Sequence, residues 1–466
     1  MSAQPTETAR TGDPGTVAPH RVVITGLGVV TSIGTGVDAF AAGLRAGRSG
    51  AKPIEAFDTA GFAHSNACEI TDFDAEEWLR RLPADDLGRA SQFAVAASRM
   101  AVADAGLTEA DVRARRSLVS VGTTDGESRD LDHLVGVQVA EGQDRLDPVV
   151  ARRVWPGRLS AGIVRELELE DVETVTVATA CAAGNYAVGY GYDAISTGDV
   201  EMALCGGADA LCFKTFTGFY RLGTIAPDVC RPFDSDRQGI LTGEGSGILL
   251  MESLESALAR GARIYAEVLG YGLSCDASHP VAPDGDSIAR CIRAAHRNAG
   301  ITPADVDFIS AHGTGTKAND VTEVGAIRQV FGEDLPRTVS IKSMIGHTMG
   351  AASALAAAAC ALALREGFIP PTVNHRETDP DCAVDCVPNE AVEAELKVVQ
   401  NNGLAFGGNN AVLVMGRWDG SGAAGAGREA AEGSEGRVPA AVQTASAAVQ
   451  AASAADRTAA PAAVAS

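Results

Sequence analysis

The sequence predicts an α/β fold assembled from two related halves. A β-branched stretch at residues 21–34 runs through paired glycines into a second extended stretch, and residues 263–276 repeat that pattern. Amphipathic helical segments follow at 92–105 and at 286–299. Long apolar strands that alternate with helices are typical of mostly parallel sheets covered by helices. We therefore expect two mostly parallel sheets in two halves that join near residue 258, with a functional site at their junction.

The two ends of the chain differ in composition from the rest. Residues 1–19 carry Pro, Thr and Gly without periodicity, and residues 418–466 are nearly all Ala, Gly, Ser, Glu, Thr and Val. Such segments bury too little apolar area to offset the entropy of ordering the chain. The predicted organisation is a disordered arm at 1–19, a first half at 20–258, a second half at 259–417 and a disordered tail at 418–466. A docking helix within 437–455 is an alternative for part of the tail.

Charge and hydropathy exclude several classes of partner. The formal net charge is -22, which disfavours nucleic acid and anionic membrane surfaces. Because no run of eighteen apolar residues and no N-terminal apolar signal core occur, we expect a soluble, cytoplasmic protein. The ten cysteines are scattered rather than arranged as a disulfide framework. Cys382 and Cys386 lack a second ligand pair, so a zinc site is disfavoured.

Glycines near the N-terminus raise the alternative of a dinucleotide-binding turn. Gly26 and Gly28 follow an apolar strand, but the third glycine of that motif is missing. The two glycines more readily indicate a place where two backbones approach closely.

Cys181 is the candidate nucleophile. A strand predicted at 174–179 ends just before it, and small residues open a helical segment just after it. Backbone N–H groups and the positive end of a helix dipole favour a thiolate at such a place. The alternative for a cysteine that follows a strand is an ordinary core residue.

Two histidines accompany this cysteine. His312 follows an apolar strand at 306–310 and opens a turn of Gly and Thr, and His347 follows the strand predicted at 338–342. Strand ends gather at one edge of a parallel sheet, so these side chains are expected to meet Cys181. Together they indicate covalent acyl chemistry.

Further polar and glycine-rich features surround these histidines. Lys342 precedes a glycine turn, and Asp320 and Glu323 lie downstream of His312, where either carboxylate could orient it or be a plain helix-surface charge. The segment 403–410 suits a loop that presents backbone N–H groups to an oxyanion, with Phe406 as a gate. A structural turn is the alternative there.

Five motifs in order make the chain from Arg21 to Gly416 resemble the β-ketoacyl-ACP synthases of the thiolase superfamily. The resemblance is greatest to the type II elongating ketosynthases of bacterial fatty-acid and polyketide assembly. The motifs are Thr-Ala-Cys-Ala-Ala-Gly at Cys181, Arg-Pro-Phe-Asp from Arg231 with Gly-Glu-Gly from Gly243, His-Gly-Thr-Gly-Thr from His312, Lys-Ser-Met-Ile-Gly-His from Lys342, and Phe-Gly-Gly-Asn-Asn from Phe406. The resemblance implies a duplicated five-layer α-β-α-β-α fold and an obligate dimer.

The resemblance also implies roles for individual residues. Cys181 would take an acyl group from an acyl carrier protein, with the N–H groups of Cys181 and Phe406 as the oxyanion hole. His312 and His347 would promote decarboxylation of malonyl-ACP, giving a β-ketoacyl chain two carbons longer. The implied supporting residues are Lys342 with Asp320 and Glu323 for the charge network, and Thr314 and Thr316 for the phosphopantetheine arm of the carrier protein. No metal or redox cofactor is implied.

One departure from the family pattern concerns the acyl pocket. Asp125 stands where fatty-acid enzymes carry an apolar residue that faces the chain. An ionised, unpaired acid facing hydrocarbon would cost several kcal/mol, so a short, polar or conjugated polyketide chain is favoured. The alternative is housekeeping fatty-acid elongation.

The retained Cys181 and histidines resemble the active partner of a ketosynthase and chain-length-factor pair, either as a heterodimer or as a homodimer. A non-catalytic chain-length or scaffold subunit is the alternative from another class, and loss of the cysteine or of a histidine would mark it. The second cysteine motif of a degradative thiolase is missing.

Overall fold

Strands and helices alternate along the computed structural model, which describes residues 19–420. The predicted disordered segments, apart from their innermost residues, lie outside the described residues. The strands are β1 (Val22–Thr31), β2 (Gly34–Thr35), β3 (Lys52–Pro53), β4 (Asn66–Ala67), β5 (Ser117–Gly122), β6 (Val172–Val177), β7 (Met202–Asp209), β8 (Gly245–Ser253), β9 (Ala266–Cys275), β10 (Phe308–Ser310), β11 (Arg337–Val339), β12 (Phe368–Ile369), β13 (Val392–Glu393), β14 (Val398–Gly403) and β15 (Asn409–Gly416). The helices are α1 (Val37–Arg45), α2 (Arg89–Asp104), α3 (Glu109–Arg113), α4 (Ser128–Glu141), α5 (Pro148–Arg153), α6 (Arg158–Leu167), α7 (Ala183–Ser196), α8 (Phe213–Arg221), α9 (Leu254–Ala259), α10 (Gly285–Ala299), α11 (Lys317–Phe331), α12 (Lys342–Ile345) and α13 (Ala352–Glu366).

The main strands form two five-stranded groups that are joined edge to edge. Their order is β11-β10-β14-β15-β9-β1-β8-β7-β5-β6. The first half contributes β1 and β5 to β8, and the second contributes β9 to β11, β14 and β15. Only Val22 to Ile24 of β1 pair with β9, so the junction between the halves is short. The α/β class and the duplication are confirmed.

Strand direction is mixed within each group. The outer three strands of each half pair in parallel, as predicted. The inner strands pair antiparallel, which the prediction of mostly parallel sheets did not include. In the second half, β14 and β15 are antiparallel because the short loop 404–408 returns the chain directly alongside β14.

Five layers of structure result from the helix positions. Helices α2 and α6 pack against each other, and α2 lies on the strands of the first half. Helices α10 and α11 likewise pack against each other, and α10 lies on the strands of the second half. Helices α7 and α13 touch strands of both halves and therefore form the central layer. The stretch Met349–Glu366 has the length and composition of a membrane span, but 89% of it is buried inside the protein. It is the Ala-rich core helix that the central layer requires.

The paired glycines of β1 lie against helix α2. A Cβ atom on Gly28 would stand 1.7 Å from the carbonyl oxygen of Ala97, and one on Gly26 would stand 2.2 Å from that of Ala101. No side chain fits at either distance. The glycines therefore permit a close approach of strand and helix, which confirms the prediction and removes the dinucleotide alternative.

Most cysteines belong to the core, as predicted. Only Cys275 of the ten is exposed. Cys382 and Cys386 are fully buried among apolar side chains of the second half.

Candidate active site

Cys181 lies where the first half turns from strand to helix. Strand β6 ends at Val177, a single 3-10 turn covers Ala180–Ala182, and α7 begins at the next residue. Ala180 has a φ of 50°, a left-handed conformation that is uncommon for a residue with a side chain. The turn is therefore sharp, and it holds Cys181 almost fully buried at the start of the central helix.

The two predicted histidines reach Cys181 from the second half. His312 follows β10, and His347 follows the short helix α12. The sulfur of Cys181 and one ring nitrogen from each histidine all lie within 4.8 Å of one another. The imidazole rings are nearly perpendicular, with centroids 5.4 Å apart. The structure thus brings together three side chains that are far apart in the sequence.

The thiol of Cys181 is held in its neutral form. Burial raises its pKa to about 12. The charge of Lys342 and the backbone N–H of Phe406 lower that pKa, whereas Asp209 and Asp125 raise it further. The N–H groups and helix end that were expected to favour the thiolate are outweighed by burial, because desolvating the charge costs more than they provide.

Both histidines are neutral as well. Burial, followed by the charge of Lys342, lowers the pKa of His312 and of His347 well below the ordinary value. The backbone N–H of Met349 donates to Nδ1 of His347 over 3.2 Å. The ammonium of Lys342 lies 3.5 Å from Nδ1 of His312. A neutral ring that accepts at Nδ1 carries its proton on Nε2, so each histidine offers one N–H donor.

Lys342 and Glu323 organise the turn that carries His312. The ammonium of Lys342 donates to the carbonyl oxygen of His312 over 2.6 Å. Glu323 accepts the backbone N–H groups of His312 and Gly313, each over 2.8 Å. Burial lowers the pKa of Lys342, and the nearby charge of Glu323 opposes that shift. Lys342 and Glu323 thus both contact the turn of His312, where the sequence placed them in a charge network.

Asp320 supports the same turn rather than the histidine ring. Its carboxylate accepts the backbone N–H of Gly315 over 3.2 Å and that of Phe233 over 3.0 Å. Arg237 lies 3.5 Å away and is fully buried. Burial raises the pKa of Asp320 to about 6. Asp320 therefore joins the Gly-Thr turn to the segment that contains Phe233.

A cavity of about 270 Å³ opens outward from Cys181, His312 and His347. Thr314 and Thr316 stand on its wall with their hydroxyl oxygens 2.9 Å apart. Thr314 Oγ1 also accepts the backbone N–H of Thr316, and Thr316 Oγ1 accepts that of Asn319. The role of both residues in holding a pantetheine arm stays a prediction.

Phe406 lines the cavity and is 39% exposed, and its role as a gate stays a prediction. Its ring is 5.5 Å from that of Phe219, which sequence reasoning missed. The loop that follows β9 contributes His279 to the cavity wall, a second residue that sequence reasoning missed. The N–H of Gly407 donates to the carbonyl oxygen of Pro280 over 2.8 Å and so joins this loop to the loop of Phe406. The sequence gives no spacing or composition signal for Phe219 or His279, because α8 and the loop after β9 approach the site only through tertiary packing.

Asp125 is not among the residues that line this cavity. Its carboxylate is buried, 2.8 Å from the ammonium of Lys214, and it accepts the hydroxyl of Thr215 over 2.6 Å. It is close enough to Cys181 to raise the pKa of that thiol. The acid is therefore paired, and the cost assumed for an unpaired charge does not apply.

Comparison with known proteins gives the family. The model of the beta-ketoacyl synthase N-terminal domain matches residues 20–257, and that of the C-terminal domain matches residues 265–376. The chain belongs to the β-ketoacyl synthase family. It is thus an acyltransferase-type enzyme of the 3-oxoacyl-ACP synthase kind.

Individual relatives span nearly the whole described chain. The 3-oxoacyl-[acyl-carrier-protein] synthase 2 of Synechocystis is 38% identical over 406 residues, which cover 85% of this chain and 97% of that one. The solved ishigamide ketosynthase/chain length factor is 63% identical with a TM-score of 0.85, covering 86% of this chain and all of that chain. AntDE:AntF, a type II PKS acyl-carrier protein in complex with its ketosynthase bound to the hexaketide, is 31% identical with a TM-score of 0.79 at 86% and 100% coverage.

Cys181, His312 and His347 also have the ligand types that bind zinc. A metal ion there would stand next to the ammonium of Lys342, and Nδ1 of His347 already accepts a backbone N–H. This electrostatic setting opposes a second cation. The absence of a metal cofactor stays a prediction.

Proposed function

We propose that this β-ketoacyl synthase catalyses the decarboxylative condensation of an acyl group on Cys181 with malonyl-ACP in type II polyketide assembly. The observation that carries the proposal is the meeting of one buried thiol and two neutral histidines at the base of an open cavity. The neutral thiol is suited to nucleophilic attack when it loses its proton, and the neutral histidines are suited to donate hydrogen bonds.

In the acylation step the sulfur of Cys181 attacks the thioester carbonyl of acyl-ACP. The N–H groups of Cys181 and Phe406 stabilise the oxyanion, a role supported by the Phe406 N–H that already faces the sulfur. The carbon–sulfur bond to pantetheine then breaks. The departing thiolate takes up a proton equivalent to the one that Cys181 loses, so no further reactant is needed.

In the condensation step malonyl-ACP enters by the same cavity, with its arm against Thr314 and Thr316. The malonyl carbon–carbon bond breaks, carbon dioxide leaves, and the electron pair moves into a thioester enolate. The Nε2 protons of His312 and His347 stabilise the enolate oxygen. The enolate carbon attacks the acyl group, and the bond from that group to the sulfur of Cys181 breaks. The Cys181 thiolate takes one proton from solvent, which balances the negative charge that the malonyl carboxylate brought in. Phosphopantetheine belongs to the carrier protein, and no other cofactor is needed.

The polyketide assignment rests on two observations. Identity to the ishigamide ketosynthase/chain length factor is 63%, against 38% to the Synechocystis synthase. Asp125 does not line the open cavity, but its charge acts on the sulfur of Cys181, so the pair of Asp125 and Lys214 lies near the acyl-cysteine and favours a polar or conjugated chain over a long saturated one. Fatty-acid elongation is the second candidate, favoured by the Synechocystis relative.

A homologous subunit is the proposed partner, as a second copy or as a chain-length-factor homologue. Strand β6 ends the sheet and pairs on one side only, with β5, among the described strands. On α4, which packs against α5 and α8, the side chains of Leu131, Val135 and Val139 are 46%, 50% and 83% exposed, and they share one helix face. A single folded chain rarely leaves an edge strand and an apolar helix face uncovered.

The test is a two-stage incubation, first with acyl-ACP and then with malonyl-ACP, with and without a candidate partner subunit. A β-ketoacyl-ACP two carbons longer is the expected product. Faster reaction with unsaturated or oxygenated chains supports the polyketide assignment, and faster reaction with saturated chains of eight or more carbons supports fatty-acid elongation. No product under any condition would contradict the catalytic proposal.

A further inference from the structure

A line of buried side chains connects Glu323 to the outer helix α10. Nδ2 of Asn402 donates to Oε1 of Glu323 over 3.0 Å, and Nε2 of Gln400 donates to Oδ1 of Asn402 over 2.8 Å. Nε2 of His296 lies 2.7 Å from Oε1 of Gln400. None of the four side chains is more than 4% exposed. We call Asn402, Gln400 and His296 the polar chain.

The polar chain has one consistent direction. Every hydrogen bond that Glu323 makes is accepted, from the N–H groups of His312, Gly313, Asn402 and Asn319. Asn402 must therefore turn its nitrogen toward Glu323 and its oxygen toward Gln400. Gln400 must in turn present its oxygen to His296, which makes Nε2 of His296 a donor. Reversing any one member would place two acceptors or two donors against each other.

The members of the polar chain lie outside the cavity, on strand β14 and helix α10. Gln400 and Asn402 are two residues apart on β14 and share one face of the strand. His296 lies in the last turn of α10, with its ring edge-on to Phe331. Neither His296 nor Gln400 lines the cavity or touches Cys181, His312 or His347. Buried polar groups at such positions are costly unless each is fully paired.

The link from Glu323 to the reacting groups is direct. Glu323 fixes the backbone of His312, and its charge opposes the fall in the pKa of the buried Lys342. Lys342 in turn contacts both the carbonyl and the ring of His312. An Asn402 amide that was free to rotate would remove one donor from Glu323 and disturb both effects.

We propose that His296 and Gln400 are positioning residues for the decarboxylation half-reaction, acting through Asn402 and Glu323 on His312 and Lys342. This inference rests on the function proposed above. Outer hydrogen-bond partners of functional groups typically alter activity by roughly 10-fold to 100-fold. The polar chain should affect decarboxylation more than acylation of Cys181, because its route ends at His312 and Lys342. A smaller effect reaches the sulfur through the charge of Lys342, which lowers the pKa of Cys181, so weaker support of that charge should move the reaction of the thiol to higher pH.

The experiment compares four variants of the full chain. Gln400→Met and His296→Phe remove the donors, and His296→Gln keeps one N–H donor in place of the imidazole. Thr25→Val is the matched control, because it breaks a buried 2.7 Å bond to Glu252 that has no connection to the polar chain. Decarboxylation of malonyl-ACP, acylation of Cys181 by intact mass, and the pH dependence of Cys181 alkylation by iodoacetamide, read from its peptide, are measured for each.

We expect Gln400→Met and His296→Phe to slow decarboxylation about tenfold with acylation nearly unchanged, and His296→Gln to recover most of the rate. Equal loss in both half-reactions, a similar loss in Thr25→Val, or no recovery in His296→Gln would overturn the inference. If the native protein shows neither decarboxylation nor acylation, the proposed function fails. The pH dependence of Cys181 alkylation then tests by itself whether the polar chain acts on the site. A shift of the Cys181 profile to higher pH in the two donor-loss variants then supports it, and an unchanged profile overturns it.

Discussion

The ammonium of Lys342 lies 2.6 Å from the carbonyl oxygen of His312 and 3.5 Å from Nδ1 of the same residue. A buried cation so close to an imidazole opposes protonation of the ring. It also selects the tautomer with the proton on Nε2. Lys342 thereby adds to burial in keeping His312 neutral, and it sets the donor direction of a histidine that stands beside Cys181.

The first prediction concerns the charge of the histidines. Because burial and Lys342 hold both pKa values well below 6.5, the rings of His312 and His347 should stay neutral as the pH falls from 8 through 6.5. In Lys342→Met the charge is gone, so protonation should begin at a higher pH than in the native protein. Histidine-selective ¹³C and ¹⁵N NMR measures this, with His312→Asn and His347→Asn to assign the signals. Titration of either ring near pH 6.5 in the native protein would contradict it.

The second prediction tests the close approach of β1 and α2. Gly28→Ala should lower the free energy of unfolding by about 3 kcal/mol or more, because the new methyl group would overlap the carbonyl of Ala97. Gly325→Ala is the matched control, since nothing lies within 4 Å of its Cβ position on the exposed face of α11. Gly325→Ala should raise the free energy of unfolding by up to about 1 kcal/mol. Urea unfolding of both variants gives the comparison, and equal effects would be incompatible with the packing described.

The third prediction concerns the charged pair near the acyl site. Asp125→Leu should shift the preference of Cys181 toward saturated acyl chains, because it replaces a buried carboxylate with hydrocarbon. Asp125→Asn keeps the shape and a hydrogen-bonding group, so it separates the effect of charge from that of volume. Relative acylation rates with saturated and unsaturated acyl-ACP substrates measure the preference. An unchanged order in Asp125→Leu would remove Asp125 from the acyl site.

The fourth prediction tests the partner surface on α4. Val135→Asp should weaken association, because it places a charge in the centre of the exposed apolar face. Val321→Asp on α11, where the native side chain is 37% exposed, serves as the control. Sedimentation velocity with and without the candidate partner reports the assembly. A native protein that stays monomeric with every homologous subunit, itself included, would exclude this interface.

Several features of the fold could be predicted because they depend on short-range patterns. The helices expected at 92–105 and 286–299 are α2 and α10, with bounds shifted by a few residues. The glycines of β1 indicated a close approach before the partner helix was known. The antiparallel inner strands were missed, because an apolar strand has the same composition whichever way its neighbour runs.

The meeting of Cys181, His312 and His347 could be predicted because strand ends gather at one edge of a sheet. The ionisation of Cys181 could not, since the cost of burying a charge depends on how completely the central helices enclose it. The pairing of Asp125 with Lys214 was also missed, because α8 meets the loop of Asp125 only in the folded chain. The same applies to Asn402, Gln400 and His296, whose alignment needs β14 and α10 to be packed together.

Covalent acylation of Cys181 tests the central claim most directly. Native protein and Cys181→Ala are incubated with acyl-ACP, with the proposed partner subunit present and absent, and intact mass is recorded. We predict a mass increase equal to one acyl group in the native protein, lost in Cys181→Ala and discharged when malonyl-ACP is added. An acyl group that appears equally on both proteins, or on neither, would contradict the assignment of Cys181 as the nucleophile.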